Sequence, residues 1–410
     1  MSVWGLFSFG WGLVCFATLG SLFVCPTSGC VSTQWIVFDS LSFFLTLLVL
    51  VLGIAAVFFN NNALSRETQG YLFMSLSFSV LCFCVNHAIL FWCFYELSML
   101  PLLYLIFRDS PYSERYLAGW YFSGYLLITS LPLLLILFYL SFINHSSIIG
   151  LWSTNSSISF IYYLLAFIFF TKVPLCPFHT WLPIVHAEAT SVVSTFLSGY
   201  IMKLGLVGVF RFCGTIFSDD FKIYLGLCCV MGICFLVAAT GELDGKRWLA
   251  LLSLSHIIIP FIGLFFCGFS LDSLIFLYSL GHGLGAALVF GLLWKLYDTT
   301  HTRNWVLLKS GVSGTFSIIL VSVSLLSLCS FPPTLQFFSE VYLLVASGSS
   351  YLLLLFWAFY LFLGGVVPLI LCGHVMLRVE AHESDCILVF KFGAYLLVYS
   401  LWCYLGIFVL

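Results

Sequence analysis

Long runs of apolar residues follow one another through most of this 410-residue chain, separated by short polar loops. A helix needs about twenty apolar residues to cross the hydrocarbon core, where lipid offers the backbone no hydrogen-bond partners. Only 7% of the residues are charged, against roughly 25% in an average soluble domain. Too few polar residues are present to cover a water-exposed surface. The sequence therefore predicts an all-α polytopic membrane protein.

Net charge and cysteine usage narrow the function classes. The formal net charge is −2 with no basic block, so nucleic acid is not expected as a partner. The sixteen cysteines are scattered through apolar runs without any C-x-x-C, and we interpret them as small packing residues rather than ligands of a metal ion.

Thirteen runs are predicted to cross the membrane. The eleventh contains Phe331-Pro332-Pro333, and because proline interrupts a helix we interpret this run as one crossing built of two half-helices. If the N-terminus lies on the side where insertion begins, that side carries ten of the basic residues in loops and the other carries only Arg211 and Lys222. This split predicts the N-terminus inside and the C-terminus outside. The runs lie at 4–24, 36–59, 71–86, 88–107, 116–143, 158–178, 191–217, 221–240, 248–269, 271–298, 312–346, 351–375 and 388–409.

The runs also indicate internal symmetry. Two sets of five, 71–217 and 218–375, each have a broken fourth member. Because a repeat of five helices reverses direction, the second set is predicted to be inverted relative to the first, as in many transporters. N-terminal helices in 1–70 and a C-terminal helix in 376–410 flank the two repeats.

Four charged side chains are predicted within the membrane: Glu96, Lys172, Lys203 and Glu340. Each charge at mid-bilayer costs roughly 2.5–3.5 kcal/mol even on a lenient insertion scale, so these groups must be paired, hydrated or neutralised. They are either structural ion pairs that hold helices together or titratable groups that move ions. The second role is the usual one for ionisable residues in a membrane.

Prolines and histidines accompany these charges. Three prolines follow Lys172 within eleven residues, and Glu340 follows Pro332-Pro333, so carbonyl groups near both charges lose their helical donors. Broken helices at membrane depth persist only where they line protein or water. Since imidazole titrates near neutrality, histidines at this depth favour a proton relay. The histidines are His179, His256 and His282, and hydroxyls that could hold waters between them are Ser123, Thr129, Ser130, Ser253 and Ser279.

The motifs around these residues resemble the antiporter-like subunits of respiratory complex I. Phe94–Pro101 resembles the family's glutamate-bearing helix, and Lys172–Ala189 resembles its lysine-bearing broken helix, with the specific pattern Lys-x-Pro…His-x-Trp-Leu-Pro. Glu340, together with Pro332-Pro333-Thr334, points to the chain 4 branch of NADH:ubiquinone oxidoreductase. Further similar segments occur in the family's order within about residues 90–345: Lys203-Leu204-Gly205, Ser253-Leu254-Ser255-His256, His282-Gly283-Leu284 and Thr300-His301-Thr302-Arg303.

The resemblance implies a fourteen-helix fold from which this chain has lost the first helix. It also implies a proton-translocating membrane-arm subunit of H⁺-translocating NADH:ubiquinone reductase, in which Lys172 pairs with Glu96. NADH, FMN, iron–sulfur clusters and ubiquinone would be bound by other subunits, and no cofactor or metal ion is expected on this chain. The implied proton relay is Glu96, Lys172, Lys203, His256 and Glu340, with His179 and His282 in support.

Partners and location follow from the same resemblance. Other membrane-arm subunits, including neighbouring antiporter-like chains, and membrane lipid are the expected partners. The expected location is the mitochondrial inner membrane, with the N-terminus in the matrix and the C-terminus in the intermembrane space. A composition rich in Phe, Val, Cys and Gly suits an organelle genome, and we expect an invertebrate source.

Three alternatives stay open on the sequence alone. An Mrp-type cation/proton antiporter subunit shares Glu96 and Lys172 by common descent, but it would exchange sodium for protons without a redox partner. A structural membrane scaffold would use the buried charges only as ion pairs. A secretory-pathway transporter is a third alternative, because Asn144 and Asn155 begin glycosylation sequons in a loop predicted to face outward.

Overall fold

The computed structural model describes residues 31–59, 64–152, 159–214, 219–267, 272–312, 314–348, 350–376 and 386–408. Helices account for most of these residues, as the apolar runs predict, and a short antiparallel hairpin joins β1 (Val31–Ser32) to β2 (Val37–Phe38). In chain order the helices are α1 (Ser40–Phe59), α2 (Arg66–Cys84), α3 (Ala88–Asp109), α4 (Arg115–Ile143), α5 (Ser159–Lys172), α6 (Trp181–Glu188), α7 (Ser191–Phe212), α8 (Asp219–Gly241), α9 (Gly245–His256), α10 (Ile258–Cys267), α11 (Asp272–Thr300), α12 (Trp305–Leu308), α13 (Gly314–Leu328), α14 (Leu335–Ser347), α15 (Tyr351–Met376) and α16 (Cys386–Leu405).

The helices follow the predicted runs closely. Each run from 36–59 onward overlaps one helix or a pair of consecutive half-helices. Run 312–346 is divided into α13 and α14, which confirms the predicted half-helices. Among the described residues, seven helices are each long and apolar enough to span a membrane. Run 4–24 lies outside the described residues, so the count of thirteen crossings stays a prediction.

Two broken helices occupy corresponding places in the predicted repeats. The α5/α6 pair is the fourth member of the set 71–217, and the α13/α14 pair is the fourth member of the set 218–375. The inverted relation between the two sets, and the flanking regions 1–70 and 376–410, stay predictions.

The break after Lys172 is stabilised by side chains. Eight residues, two of them proline, separate α5 from α6 and leave carbonyl groups without helical donors. The indole N–H of Trp181 donates to the Thr171 carbonyl at 3.0 Å, and the Tyr224 hydroxyl donates to the Cys176 carbonyl at 2.7 Å. Lys172 is therefore held at the end of a helix whose continuation is anchored from two sides.

A third break was not predicted. The run 248–269 is expected to form one helix, but the structure divides it at Ile257 into α9 and α10. Pro260 explains the division, because it has no N–H to donate to the His256 carbonyl four residues earlier. The Tyr278 hydroxyl of α11 donates to that carbonyl instead, at 3.1 Å. The break thus fixes His256 at the end of α9, against α11.

Helices that carry buried ionisable residues lie in the interior of the bundle. Almost all of α7 is buried, and so is most of α11, whereas most residues of α4, α8 and α15 are at least partly exposed, where lipid would lie. Close packing joins α7 to the break after α5. A Cβ on Gly205 would lie 2.4 Å from Cγ2 of Val173 and 3.0 Å from the Phe169 carbonyl oxygen. The part of α7 that carries Lys203 therefore packs directly against the break after Lys172, and Gly205 makes this close approach possible.

The two ends of α7 lie beside separate charged clusters. Lys246 Nζ donates to the Ala189 carbonyl at 2.8 Å, just before α7 begins. Near the other end, Arg211 forms two hydrogen bonds with Asp39, at 2.7 and 3.0 Å. Twenty residues at about 1.5 Å rise separate the clusters by roughly 30 Å. Arg211 thus lies at the opposite end from Lys246, in agreement with the predicted split. Which compartment each end faces stays a prediction.

Candidate functional site

Glu96 and Lys172 form a buried ion pair between α3 and the end of α5. Lys172 Nζ lies 3.4 Å from Glu96 Oε1, and the exposed fractions of the two side chains are 4% for lysine and 10% for glutamate. The ammonium group also lies 5.0 Å from the centre of the Tyr95 ring and 3.9 Å from Met99 Sδ. The structure therefore brings together the two residues that the sequence predicts as a pair, at a helix break inside the bundle.

The Glu96–Lys172 pair has room for hydration. Glu96 Oε2 is buried and has no hydrogen-bond partner in the structure. The Ser130 hydroxyl lies beside the same carboxyl group. A cavity of about 10 Å³, lined by residues that include Tyr125 and Lys172, adjoins the ammonium group. That volume is close to the lower limit for one water molecule. A water here would lie on the Lys172 side of the pair, since Glu96 does not line this cavity.

Lys203 is completely buried on α7. Its Nζ donates to the Ser198 carbonyl at 2.6 Å, and in the described part of the chain no carboxylate lies within ion-pair distance of it. The carbonyl belongs to a π-helical turn, Leu197–Ile201, of a kind that frequently occurs at functional sites. Lys203 is also near enough to His256 and His282 to act on them electrostatically. An unpaired buried amine of this kind can gain or lose a proton without breaking an ion pair.

His256 and Glu340 are joined by a network of side chains. The Tyr360 hydroxyl makes a short hydrogen bond with His256 Nδ1 and donates to Glu340 Oε1 at 3.1 Å. Gln336 Nε2 donates to Glu340 Oε1 at 2.9 Å and lies 3.5 Å from His256 Nδ1. The Tyr278 hydroxyl lies 3.4 Å from the Tyr360 hydroxyl. All of these side chains are buried. The structure thus connects two predicted relay residues through side chains that can both donate and accept hydrogen bonds.

The supporting histidines lie in different surroundings. The His282 ring lies 5.4 Å from the His256 ring, and both of its nitrogens are buried without a partner. His179 is only half-buried and packs on Phe235, with ring centres 4.7 Å apart. The structure therefore places His282 beside His256, but it does not bring His179 into contact with the other predicted relay residues.

Another histidine, His186, is absent from the predicted relay although it lies in the quoted motif. It is fully buried on α6 and stacks on Phe290 at 5.1 Å, and neither ring nitrogen has a partner. Its spacing in the motif, seven residues after His179, was a usable signal. Gln336 also had a usable signal in the sequence, because it lies four residues before Glu340 and therefore on the same helical face. Tyr360 lies among twenty tyrosines in the chain, and nothing in the sequence distinguishes it.

The predicted hydroxyls divide into two groups. Ser123, Thr129 and Ser279 donate to carbonyls of their own helices, which is their ordinary local role. Ser130 lies beside Glu96, and Ser253 is buried one turn before His256 with no partner for its hydroxyl.

Unpaired polar atoms follow the ionisable residues through the bundle. Leaving a buried polar group unsatisfied costs about 1–3 kcal/mol, so native proteins pair such atoms with protein or ordered water. Among the described residues, no group of three His, Cys, Asp or Glu side chains could hold a metal ion. Ordered water is the usual partner of buried polar atoms that no protein group satisfies. The unpaired atoms on these residues and their neighbours are Tyr95 OH, Glu96 Oε2, His179 Nδ1, His186 Nδ1 and Nε2, Ser253 Oγ, His256 Nε2, His282 Nδ1 and Nε2, and Gln336 Oε1.

A charged cluster at the Lys246 end of the bundle links several loops. The Arg303 guanidinium lies 4.2 Å from the centre of the Tyr112 ring, and Lys246 Nζ lies 5.0 Å from it. Arg303 also donates to Glu188 at 3.5 Å. Burial raises the pKa of the Tyr112 hydroxyl above its ordinary value. The cluster fixes the end of α6 to the start of α9.

Comparison with known sequences places the chain among membrane proteins of one family. Residues 85–365 match the model of the NADH:quinone oxidoreductase/Mrp antiporter transmembrane family. Chain 4 of NADH-ubiquinone oxidoreductase from Artemia franciscana is 31% identical over 274 residues, which cover 66% of this chain and 69% of the relative. The same chain from Rhipicephalus sanguineus is 29% identical over 303 residues, covering 73% and 69% respectively.

Solved structures share the fold at lower sequence identity. A chain of respiratory complex I from Thermus thermophilus with bound NADH superposes with a TM-score of 0.81 at 17% identity, covering 95% of this chain and 88% of that one. A chain of the Mrp complex from Dietzia gives a TM-score of 0.74 at 17% identity, covering 93% and 75%. These likenesses support the polytopic helical fold.

Proposed function

The chain belongs to the NADH:quinone oxidoreductase/Mrp antiporter transmembrane family, and on that premise we propose that it is a proton-translocating membrane-arm subunit of NADH:ubiquinone oxidoreductase. The relatives named chain 4 of that enzyme support this assignment. The observation that carries it is the series of buried ionisable side chains, from Glu96 to Glu340, whose unpaired atoms call for water.

Proton uptake centres on the Glu96–Lys172 pair. Two titratable groups 3.4 Å apart share their protons as a coupled unit. When Glu96 is close, its negative charge stabilises the ammonium form of Lys172; when the carboxylate withdraws, burial favours the neutral amine. Movement of either partner at the helix break therefore decides whether Lys172 holds or releases a proton. This is the switching step that the proposed pump requires.

Proton transfer onward uses the second half of the bundle. Lys203 accepts a proton through water, and the His256 network connects it to Glu340 on α14. His282 and His186 lie beside this route with free ring nitrogens, which suits them to hold waters in line. Glu340 then releases the proton on the outward side.

The energy for this movement comes from outside the chain. Each elementary charge moved against the membrane potential costs about 2.3 kcal/mol per 100 mV. Quinone reduction in other subunits supplies that energy, with NADH, FMN, iron–sulfur clusters and ubiquinone bound there. The partners are the other membrane-arm subunits, including neighbouring antiporter-like chains, and membrane lipid. The location that the animal relatives support is the mitochondrial inner membrane. The predicted split of basic residues is the basis for placing the N-terminus in the matrix and the C-terminus in the intermembrane space.

An Mrp-type cation/proton antiporter subunit is the second candidate, favoured by the likeness in fold to the Mrp complex. Purification in mild detergent distinguishes the two. We expect this chain to co-purify with NADH oxidation activity, bound flavin and iron–sulfur centres, and to pump protons without sodium. A complex that lacks these cofactors and acidifies vesicles only when sodium is present would support the Mrp assignment instead.

A further inference from the structure

The Tyr360 hydroxyl lies between two of the ionisable side chains. It makes a short hydrogen bond with His256 Nδ1 and lies 3.1 Å from Glu340 Oε1. The Tyr278 hydroxyl is a third neighbour, at 3.4 Å. Tyr360 is 1% exposed, so bulk solvent does not reach this junction. One oxygen atom thus contacts both groups between which the proposed route needs a connection.

We propose that the Tyr360 hydroxyl is itself a proton-carrying group, which passes a proton from His256 to Glu340. The proposal rests on the proposed function above and adds a residue that the sequence does not indicate. At this step a fixed side chain takes the role that a water molecule would otherwise have. A fixed group holds the donor and acceptor distances constant, which a mobile water would not.

The step balances as one concerted transfer. Protonated His256 gives its Nδ1 proton to the Tyr360 oxygen, so that an N–H bond breaks and an O–H bond forms. At the same moment the original tyrosine O–H bond breaks and its proton bonds to Glu340 Oε1. Histidine changes from cation to neutral ring, glutamate changes from carboxylate to neutral acid, and the tyrosine is neutral before and after. No electrons are exchanged with another molecule.

Resetting the junction requires the new hydroxyl hydrogen to turn. After the transfer it points toward His256, and the next transfer needs it to point toward Glu340 again. A tyrosine hydroxyl has one donor hydrogen and accepts through its lone pairs. The Tyr278 oxygen offers a third acceptor, so the hydrogen can rest there while neither relay group is ready. In that orientation no donor faces Glu340 from Tyr360, and the connection is interrupted.

A purely structural role explains the arrangement less well. Glu340 Oε1 already accepts a hydrogen bond from Gln336 Nε2 at 2.9 Å, so it does not depend on Tyr360 for a partner. A structural hydroxyl also needs only one acceptor, whereas this one has three within reach, two of them titratable. The ring itself is held by packing on Phe356 and Trp357, with ring centres at 5.5 and 5.6 Å. Removing the hydroxyl should therefore leave the ring in place.

The test is Tyr360→Phe in the assembled, reconstituted complex. We expect NADH-driven proton pumping to fall by about a hundredfold, the order of magnitude lost with a positioned proton-transfer group, while the amount of assembled complex stays unchanged. The residual rate should show a larger solvent deuterium isotope effect than the wild type, because a less well-placed water has to carry the proton. The matched control is Tyr399→Phe, which removes a buried hydroxyl that donates to the Leu52 carbonyl at 3.5 Å and pairs with the Tyr395 hydroxyl.

The outcomes separate this proposal from the proposed function. Pumping at the wild-type rate by Tyr360→Phe, with Glu340→Gln inactive, would overturn the role of Tyr360 and leave the relay intact. Equal losses in Tyr360→Phe and Tyr399→Phe would also overturn it, as would an unchanged isotope effect, since either result indicates a general effect of removing a hydroxyl. If Glu340→Gln itself pumps normally, the proposed function fails.

Discussion

Neutralising Glu96 and Lys172, singly and together, distinguishes a proton relay from a structural ion pair. At 3.4 Å and an effective dielectric constant near 20, the attraction between the two charges is roughly 5 kcal/mol. Removing one partner leaves the other charge buried and uncompensated, which costs about 3–5 kcal/mol. Glu96→Gln and Lys172→Met should each lower the free energy of unfolding by about 3–5 kcal/mol, which thermal denaturation of the complex would detect. The double variant should lose much less, because no charge is left alone.

Proton pumping should respond in a different way. Every one of these variants removes a titratable group, so all three should be unable to pump, the stable double variant included. The assay is NADH-driven acidification in proteoliposomes, measured with a pH-sensitive dye and normalised to the assembled complex on native gels. Lys222→Met, at an exposed position outside the pair, is the control and should pump normally. If the double variant pumps at the wild-type rate, the pair is only structural and the reasoning is refuted.

Two further perturbations test other parts of the site. Lys203→Met removes a buried charge with no nearby carboxylate among the described residues. It should abolish pumping while stabilising the chain by roughly 1–2 kcal/mol. Loss of assembly on native gels would contradict this. Gly205→Ala should destabilise the chain by about 1–3 kcal/mol, because its Cβ would meet the Val173 side chain and the Phe169 carbonyl, and thermal denaturation should detect it. Gly226→Ala, where a Cβ has open space, should be neutral or slightly stabilising, and equal effects at both glycines would refute the packing argument.

Much of the helical architecture can be predicted from the sequence, because lipid imposes a strict length on each crossing. The breaks beside Lys172 and before Glu340 were predictable as well, since proline removes a helical donor wherever it lies. The division at Ile257 follows from the same rule applied to Pro260, but a strongly apolar run concealed it. The inverted relation between the two repeats cannot be read from helix bounds alone and stays a prediction.

The candidate site was predictable only in part. Charged residues such as Glu96 and Lys203 stand out because so few charges occur in apolar runs. Tyr360 and Tyr278 do not stand out, since aromatic residues make up 19% of the chain and most of them simply pack. Their role depends on which side chains meet across four helices, and that is a property of tertiary packing. His179 packs on Phe235, apart from the other predicted relay residues, and its supporting role stays a prediction.

The central claim is that the buried ionisable groups from Glu96 to Glu340 are connected through water. The most direct measurement is a density map of the intact complex at a resolution that shows ordered water molecules. The account predicts waters within hydrogen-bond distance of Glu96 Oε2 and of the free nitrogens of His186, His256 and His282, which join Lys172 to Glu340 in one continuous chain. Dry, closed packing around these atoms, with no water between Lys172 and Lys203, would contradict it.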